Sequence, residues 1–337
     1  MHYSGIDRLY AGFDDSLGLI LTFHHVSDAP VARFAPNAHL TIRSETLEAV
    51  IDLLGQRGIE IISLENAHAR INARKSEKRF AVLTFDDGYL DNFEIAYPVL
   101  RKHDVPFAVY VTTGLIEGTA DLWWRGLEQL VRQQDRLIVQ MESGAAEFDC
   151  KTRSAKLATY TSLMNHIMLD VPEEHSRQWV RELCWLYKID LDAQREGAMM
   201  SWDHIKQLAQ DNLCTIGGHT VSHPVLSRLS AERAIAEINN GAAVLESATG
   251  ERPQHFCFPY GSRYAASSRE FQIAEETGFK TAVTTRPGFI YGAHADHLTS
   301  LPRISVNGLY QSKQHLAPLL SGLPTRLANK WRKLNVD

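Results

Sequence analysis

The sequence predicts an α/β fold in which parallel strands and covering helices close into a barrel carrying a helical insertion. Short β-rich runs alternate with helical patterns, which favours parallel strands over hairpins. The strand-like runs number about seven or eight, a count that suits a barrel better than an open sheet. Acids and histidines cluster at the C-terminal ends of these runs, where α/β barrels keep their active sites.

In chain order, GLILTFHHV at 18–26 is the first strand, SETLEAVIDLLGQRG at 44–58 a helix and IEIISL at 59–64 a short second strand. FAVLTFDDG at 80–88 and PFAVYVTT at 106–113 follow on either side of DNFEIAYPVLRKHDV. The later strands are CTIGGHT at 214–220, HFCFPYG at 255–261 and FKTAVTT at 279–285, with LPRISV near the end of the barrel. Between residues 113 and 214 the alternation breaks into helical segments such as DLWWRGLEQLVRQQ, KLATYTSLMNHIML and PEEHSRQWVRELCWLYK. We expect an insertion over about 117–200, either a cap laid over one barrel end or a subdomain that adds core. As a cap it would bring Trp123 and Trp124 to the substrate, with Trp124 placed to stack on a sugar ring.

A chain of 337 residues can bury one large core, and we expect residues 1–337 to form a single domain. The formal charge of -5 is spread along the chain, so there is no basic stripe for nucleic acid. Cys150, Cys184, Cys214 and Cys257 are widely spaced without a CxxC pair, which argues against a cysteine-rich zinc module or a disulfide framework. The stretch MHYSGIDRLYAGFDDSLG carries acids and no apolar segment, and no later run is long enough to span a bilayer. A cytoplasmic location is the expectation. The tail at about 312–337 mixes leucines with Arg326, Lys330, Arg332 and Lys333, broken by Pro318 and Pro324. It reads as a short basic amphipathic helix, either solvated or in peripheral contact with a membrane surface.

Three segments carry chemistry. VLTFDDGY ends an apolar strand with Asp86 and Asp87 followed by Gly88. Alone, such a triplet is most often a turn with solvated acids. In IGGHTVSHPVL a strand runs into His219 and His223, four apart, which one turn-like step brings to the same side. Two imidazoles and a carboxylate form a tridentate set for a catalytic divalent metal, zinc above all, leaving one position open. FCFPYGSR places Pro259, Tyr260 and Gly261 at a third strand end, where a backbone N–H could be aimed at an oxyanion.

TFDDGY at 84–89, HTVSHP at 219–224 and FPYG at 258–261, in that order, resemble the three core motifs of the polysaccharide deacetylases, the NodB-homology carbohydrate esterases. The similarity runs from about His24 to Arg303. It implies a distorted (β/α)7 barrel and a metal-dependent amide hydrolase that deacetylates N-acetylglucosamine-type residues, with a carbohydrate as its partner. By that resemblance Asp86 is the catalytic base, Asp87, His219 and His223 hold the metal, and the Tyr260 amide faces the oxyanion. Pro259, Tyr260 and Trp124 are the expected substrate contacts.

The sequence departs from the family in two places. Where an arginine often precedes the FPYG proline by two residues stands Cys257, and Arg303 is the expected replacement as partner to Asp86. No late LxLxH motif supplies the general-acid histidine; FHHV at 23–26 resembles an early run used in one branch, which puts His24 in that role. His25 alternates to the other side of the strand, and His294 and His297 on the last loop are fallback acids. Alternative readings are a deacetylase or deformylase of a nucleotide- or lipid-linked amino sugar, and a non-catalytic carbohydrate-binding relative. The presence of the base and all three ligands disfavours the last.

Overall fold

The structure, a computed structural model, describes residues 15–142 and 144–336. Seven parallel strands close a ring: β1 (Gly18–Phe23), β2 (Phe80–Phe85), β3 (Phe107–Val111), β4 (Cys214–Gly218), β5 (His255–Cys257), β6 (Thr281–Pro287) and β7 (Leu301–Ser305). Each pairs in parallel with its successor, and β7 returns to β1, with Leu21 opposite Ile304. The expected strand at 59–64 is present only as Glu60–Ile61, appended to the start of β2.

Period-two alternation sorts the strand residues into two layers. Leu19, Leu21, Ala81, Leu83 and Val109 pack outward against helices such as Ser44–Gln56, whose Leu47, Val50, Ile51 and Leu54 recur at helical spacing. Ile20, Val82, Ala108, Tyr110, Cys257, Val283 and Leu301 fill the interior. The same alternation sends Thr22 and His24 of the first strand run, Thr84 and Asp86 of the next, and Arg303 of β7 toward the barrel axis. Polar residues thus occupy the last interior layer, at the C-terminal rim.

The insertion lies between β3 and β4 and is not wholly helical. Helices Trp123–Gln133, Arg153–Asn165 and Glu173–Leu186 enclose an antiparallel hairpin of Arg136–Met141 and Gly144–Asp149. RLIVQM buries alternate residues, Leu137 and Val139, and includes β-branched Ile138 and Val139. Gly144 at φ 110° begins the returning strand, where a side chain would be strained. The insertion has a core of its own, with Leu127, Leu130, Leu163, Val180 and Leu183 buried together.

The C-terminal tail forms two short helices, Lys313–Ser321 and Leu323–Ala328, rather than one amphipathic rod. Leu316 and Leu320 are buried in the main core. Gly322 turns the chain at φ 83°, where a Cβ would lie 3.1 Å from the Phe289 ring. Arg326 stacks over Tyr291, and Lys333 pairs with Asp15. Among the described residues no helix is long and apolar enough to cross a membrane.

Candidate active site

Asp86 continues the β2 ladder, its N–H donating to the Phe23 carbonyl at 3.0 Å. Asp87 at φ 74° and Gly88 at φ 89° then take left-handed conformations that break the strand alternation. Two adjacent carboxylates can therefore both serve the same rim. Asp86 is 2% exposed and Asp87 3%.

His219 leaves β4 with its N–H on the Val111 carbonyl, and its Nδ1 donates to the Cys257 carbonyl at 2.6 Å. That bond fixes the tautomer and leaves the Nε2 lone pair free. Gly217 precedes it because a Cβ there would fall 2.4 Å from the Tyr110 ring. Thr220 at φ 67° and His223 at φ 56° close a tight turn. The carboxylate of Glu237 accepts from the Val221 and Ser222 N–H groups at 3.0 and 2.9 Å.

The Nε2 atoms of His219 and His223 each lie 3.3 Å from Asp87 Oδ1. All three ligand atoms fall within 4.8 Å of one another. Asp87 Oδ1 is buried with no hydrogen-bond partner among the described residues, as is His223 Nδ1. Lone pairs converging on a buried point without aligned protons are costly unless a cation sits between them. The donor set fits a divalent metal.

A second cluster of Asp86, His219 and Cys257 also offers metal-ligating atoms. A guanidinium already occupies it. Arg303 reaches across from β7 and grips Asp86 with two parallel bonds of 2.7 Å, one to each oxygen. It also donates to Thr84 Oγ1, the Thr284 carbonyl and Cys257 Sγ, at 3.0, 2.9 and 3.1 Å. The Arg303 expectation thus has a geometric counterpart, and the small Cys257 leaves it room. Burial pushes the Asp86 pKa up, but the charge and hydrogen bonds of Arg303 outweigh it and hold the carboxyl at about 2.

His24 stands on the same rim, its Nε2 3.9 Å from Asp86 Oδ2. Its carbonyl accepts from Asn92 Nδ2 at 2.7 Å, and its side chain is 21% exposed. Burial lowers its pKa below the usual imidazole value, opposed by the charges of Asp86 and Asp87. His25 points elsewhere, its ring centroid 3.6 Å from that of Tyr89 with the planes tilted by 32°, and its Nδ1 is bonded to Asp91 at 2.7 Å.

The fallback acids are ruled out by position. The chain after β6 runs back down the barrel, and Ile290 bridges Gly18 at the start of β1. His294 and His297 therefore lie at the opposite rim, His294 fully buried and bonded to the Tyr291 backbone.

Tyr260 has φ 61°, with Gly261 N–H folded back onto the Pro259 carbonyl at 2.7 Å. Thr285 Oγ1 holds the Tyr260 carbonyl at 2.6 Å. The Tyr260 N–H makes no hydrogen bond among the described residues. Its ring packs 4.7 Å from His223. Trp124 is only 8% exposed, and its indole lies 5.3 Å from His223 within the insertion core. The expected stacking platform is mostly consumed by packing, because the helix start turns both Trp123 and Trp124 inward. Sequence reasoning did not pick out Glu173, Arg177 or Glu237, which brace the site through contacts between distant segments.

The sequence pattern of the family described as polysaccharide deacetylase matches residues 73–282, more than half of the chain. The chain belongs to this family. Members of this family hydrolyse N-acetyl amide bonds, and the family is metal-dependent in general. Over 93 residues the deacetylase is 27% identical to YxkH of Bacillus subtilis (strain 168), a match spanning 27% of this chain and 30% of that relative's length. Its fold is similar to deacetylase PplD of Streptococcus pyogenes, with TM-score 0.59 and 19% identity over 90% of this chain and 97% of that one. IcaB of Ammonifex degensii gives TM-score 0.57 and 19% identity, covering 91% and 98%. The deacetylase domain of BpsB from Bordetella bronchiseptica gives 0.53 and 18%, covering 87% and 97%. These likenesses establish the fold.

Proposed function

We propose that this deacetylase removes the acetyl group from N-acetylglucosamine-type residues of an oligo- or polysaccharide, using a zinc ion held by Asp87, His219 and His223. The observation that carries the reading is the convergence of these three ligand atoms beside a charged, buried Asp86 on one rim. When bound, the zinc supplies Lewis acidity and lowers the pKa of water. Asp86, kept ionised by Arg303, accepts a proton from the water that attacks the acetyl carbonyl. The Tyr260 N–H donates to the oxyanion that develops on the carbonyl oxygen. His24 gives a proton to the departing nitrogen, without which an amine is a poor leaving group. A C–O bond forms, the C–N bond breaks, and the products are acetate and a free amino sugar.

Next to this rim, bounded by Trp124 and His25 rather than by the proposed ligands, a cleft of about 430 Å³ offers room for further sugar residues. Segment 27–41 and helix Trp123–Gln133 form its walls, with His25, Asp91, Arg125 and Glu128 among its polar groups. The PplD structure is a complex with acetate, which is the acid product proposed here. One observation favours a second reading: Arg125 lines this cleft and makes no ion pair among the described residues. A phosphate of a nucleotide- or lipid-linked amino sugar would meet it there.

Acetate release should be measured on N-acetylglucosamine oligomers and on N-acetylglucosamine 1-phosphate, with metal content determined in parallel. Faster release from oligomers supports the first reading, and faster release from the phosphorylated sugar the second. Zinc content unchanged in the combined His219→Ala, His223→Ala variant would overturn the ligand assignment.

A further inference from the structure

The insertion grips the turn that carries His223. Glu173, the first residue of helix Glu173–Leu186, is 6% exposed and forms an i,i+4 pair with Arg177 at 3.0 Å. The same Glu173 oxygen accepts from the Val225 N–H at 2.9 Å. Arg177 donates to the His223 carbonyl at 3.0 Å and to the Tyr260 hydroxyl at 3.4 Å. Its guanidinium lies over the Trp123 ring, 5.0 Å from the centroid. Arg228, just past the turn, donates to the Met168 and Val171 carbonyls of the insertion, both at 2.7 Å.

The turn therefore has two anchors. Glu237 of the barrel helix Ala231–Thr249 binds its first half through the Val221 and Ser222 N–H groups. The Glu173–Arg177 pair binds its second half, on both sides of Pro224. Packing alone does not call for a buried carboxylate and a guanidinium here, since such a pair loses hydration unless each charge finds several partners. The partners it finds are the backbone of a metal ligand in a left-handed conformation and the phenol of the residue whose amide faces the oxyanion.

We infer that Arg177 is a positioning residue: with Glu173 it holds His223 and Tyr260 in place, so that the insertion sets the affinity of the metal site as well as covering the barrel. This rests on the proposed assignment of His223 as a zinc ligand. Supporting groups of this kind change metal affinity by about 10- to 100-fold when removed.

The test is zinc affinity by chelator competition on the full chain, for the parent, Arg177→Met, Arg177→Lys and Glu173→Gln, with thermal midpoints alongside. Arg177→Met should weaken zinc binding about tenfold or more, and Arg177→Lys should recover part of the loss. Unchanged zinc affinity in Arg177→Met, with only a lower thermal midpoint, would overturn the inference. If Arg177→Met does not fold, Glu173→Gln decides in the same way. A parent that binds no zinc would instead overturn the ligand assignment itself.

Discussion

Asp86 sits where burial alone would favour the neutral acid, and the fork of Arg303 reverses that preference. Asp86, the proposed base, is thus held well below the usual carboxylate range and is ionised at neutral pH. Replacing Arg303 by methionine should raise the Asp86 pKa, so a smaller fraction would be ionised at pH 4 to 6. The acid limb of kcat/KM should then move to higher pH, and an unmoved profile would detach Arg303 from the base. His24 makes a second prediction at this scale. His24→Ala should lower kcat about 100-fold on an amide substrate, the ordinary size of general acid catalysis, while zinc content stays near parental. An activated ester, whose leaving group departs without a proton, should lose much less.

The helix Trp123–Gln133 brings an indole against His223. Trp124→Ala should therefore act through packing, with a loss of roughly 3–5 kcal/mol of stability and weaker zinc binding. A variant of parental stability with a raised KM would restore the stacking role. The tail is also structural: Leu316 and Leu320 belong to the main core, so a chain ending at residue 311 should lose cooperative unfolding. These roles were hard to read in advance. Leucines alternating with basic residues look alike whether their apolar face meets a lipid or a barrel. The hairpin at 136–149 was missed because two six-residue strands offer little period-two signal amid long helices.

At the scale of the whole molecule, His255 and His294 are buried with pKa values lowered by burial to about 4. His255 faces Thr281 and Glu65, and His294 the Tyr291 backbone. In the unfolded chain both take up protons below about pH 6.5, while the folded protein resists until about pH 4. Stability should fall as pH drops through that window, and a His294→Gln variant should show a shallower decline in thermal midpoint. The barrel was legible because strand-end chemistry and strand period coincide: Asp86 and Asp87 end the apolar run FAVLTF, and His219 and Tyr260 end shorter strand-like runs. The alternation that turns Arg303 toward Asp86 is also present in the sequence, but their pairing depends on β7 closing against β1. The bracing by Glu173, Arg177 and Glu237 depends on how separate segments meet, and no local pattern carries that.

Asp87, Thr220, His223 and Tyr260 all hold backbone angles that L-residues avoid. At roughly 1–3 kcal/mol each, their summed strain is comparable with the net stability of an ordinary domain. The barrel wall acts as a frame around a loaded spring, and a spring releases before its frame breaks. Under mild denaturant the order of failure should follow: hydrolysis and zinc retention disappear at concentrations where the strands, read by far-UV circular dichroism, are still intact.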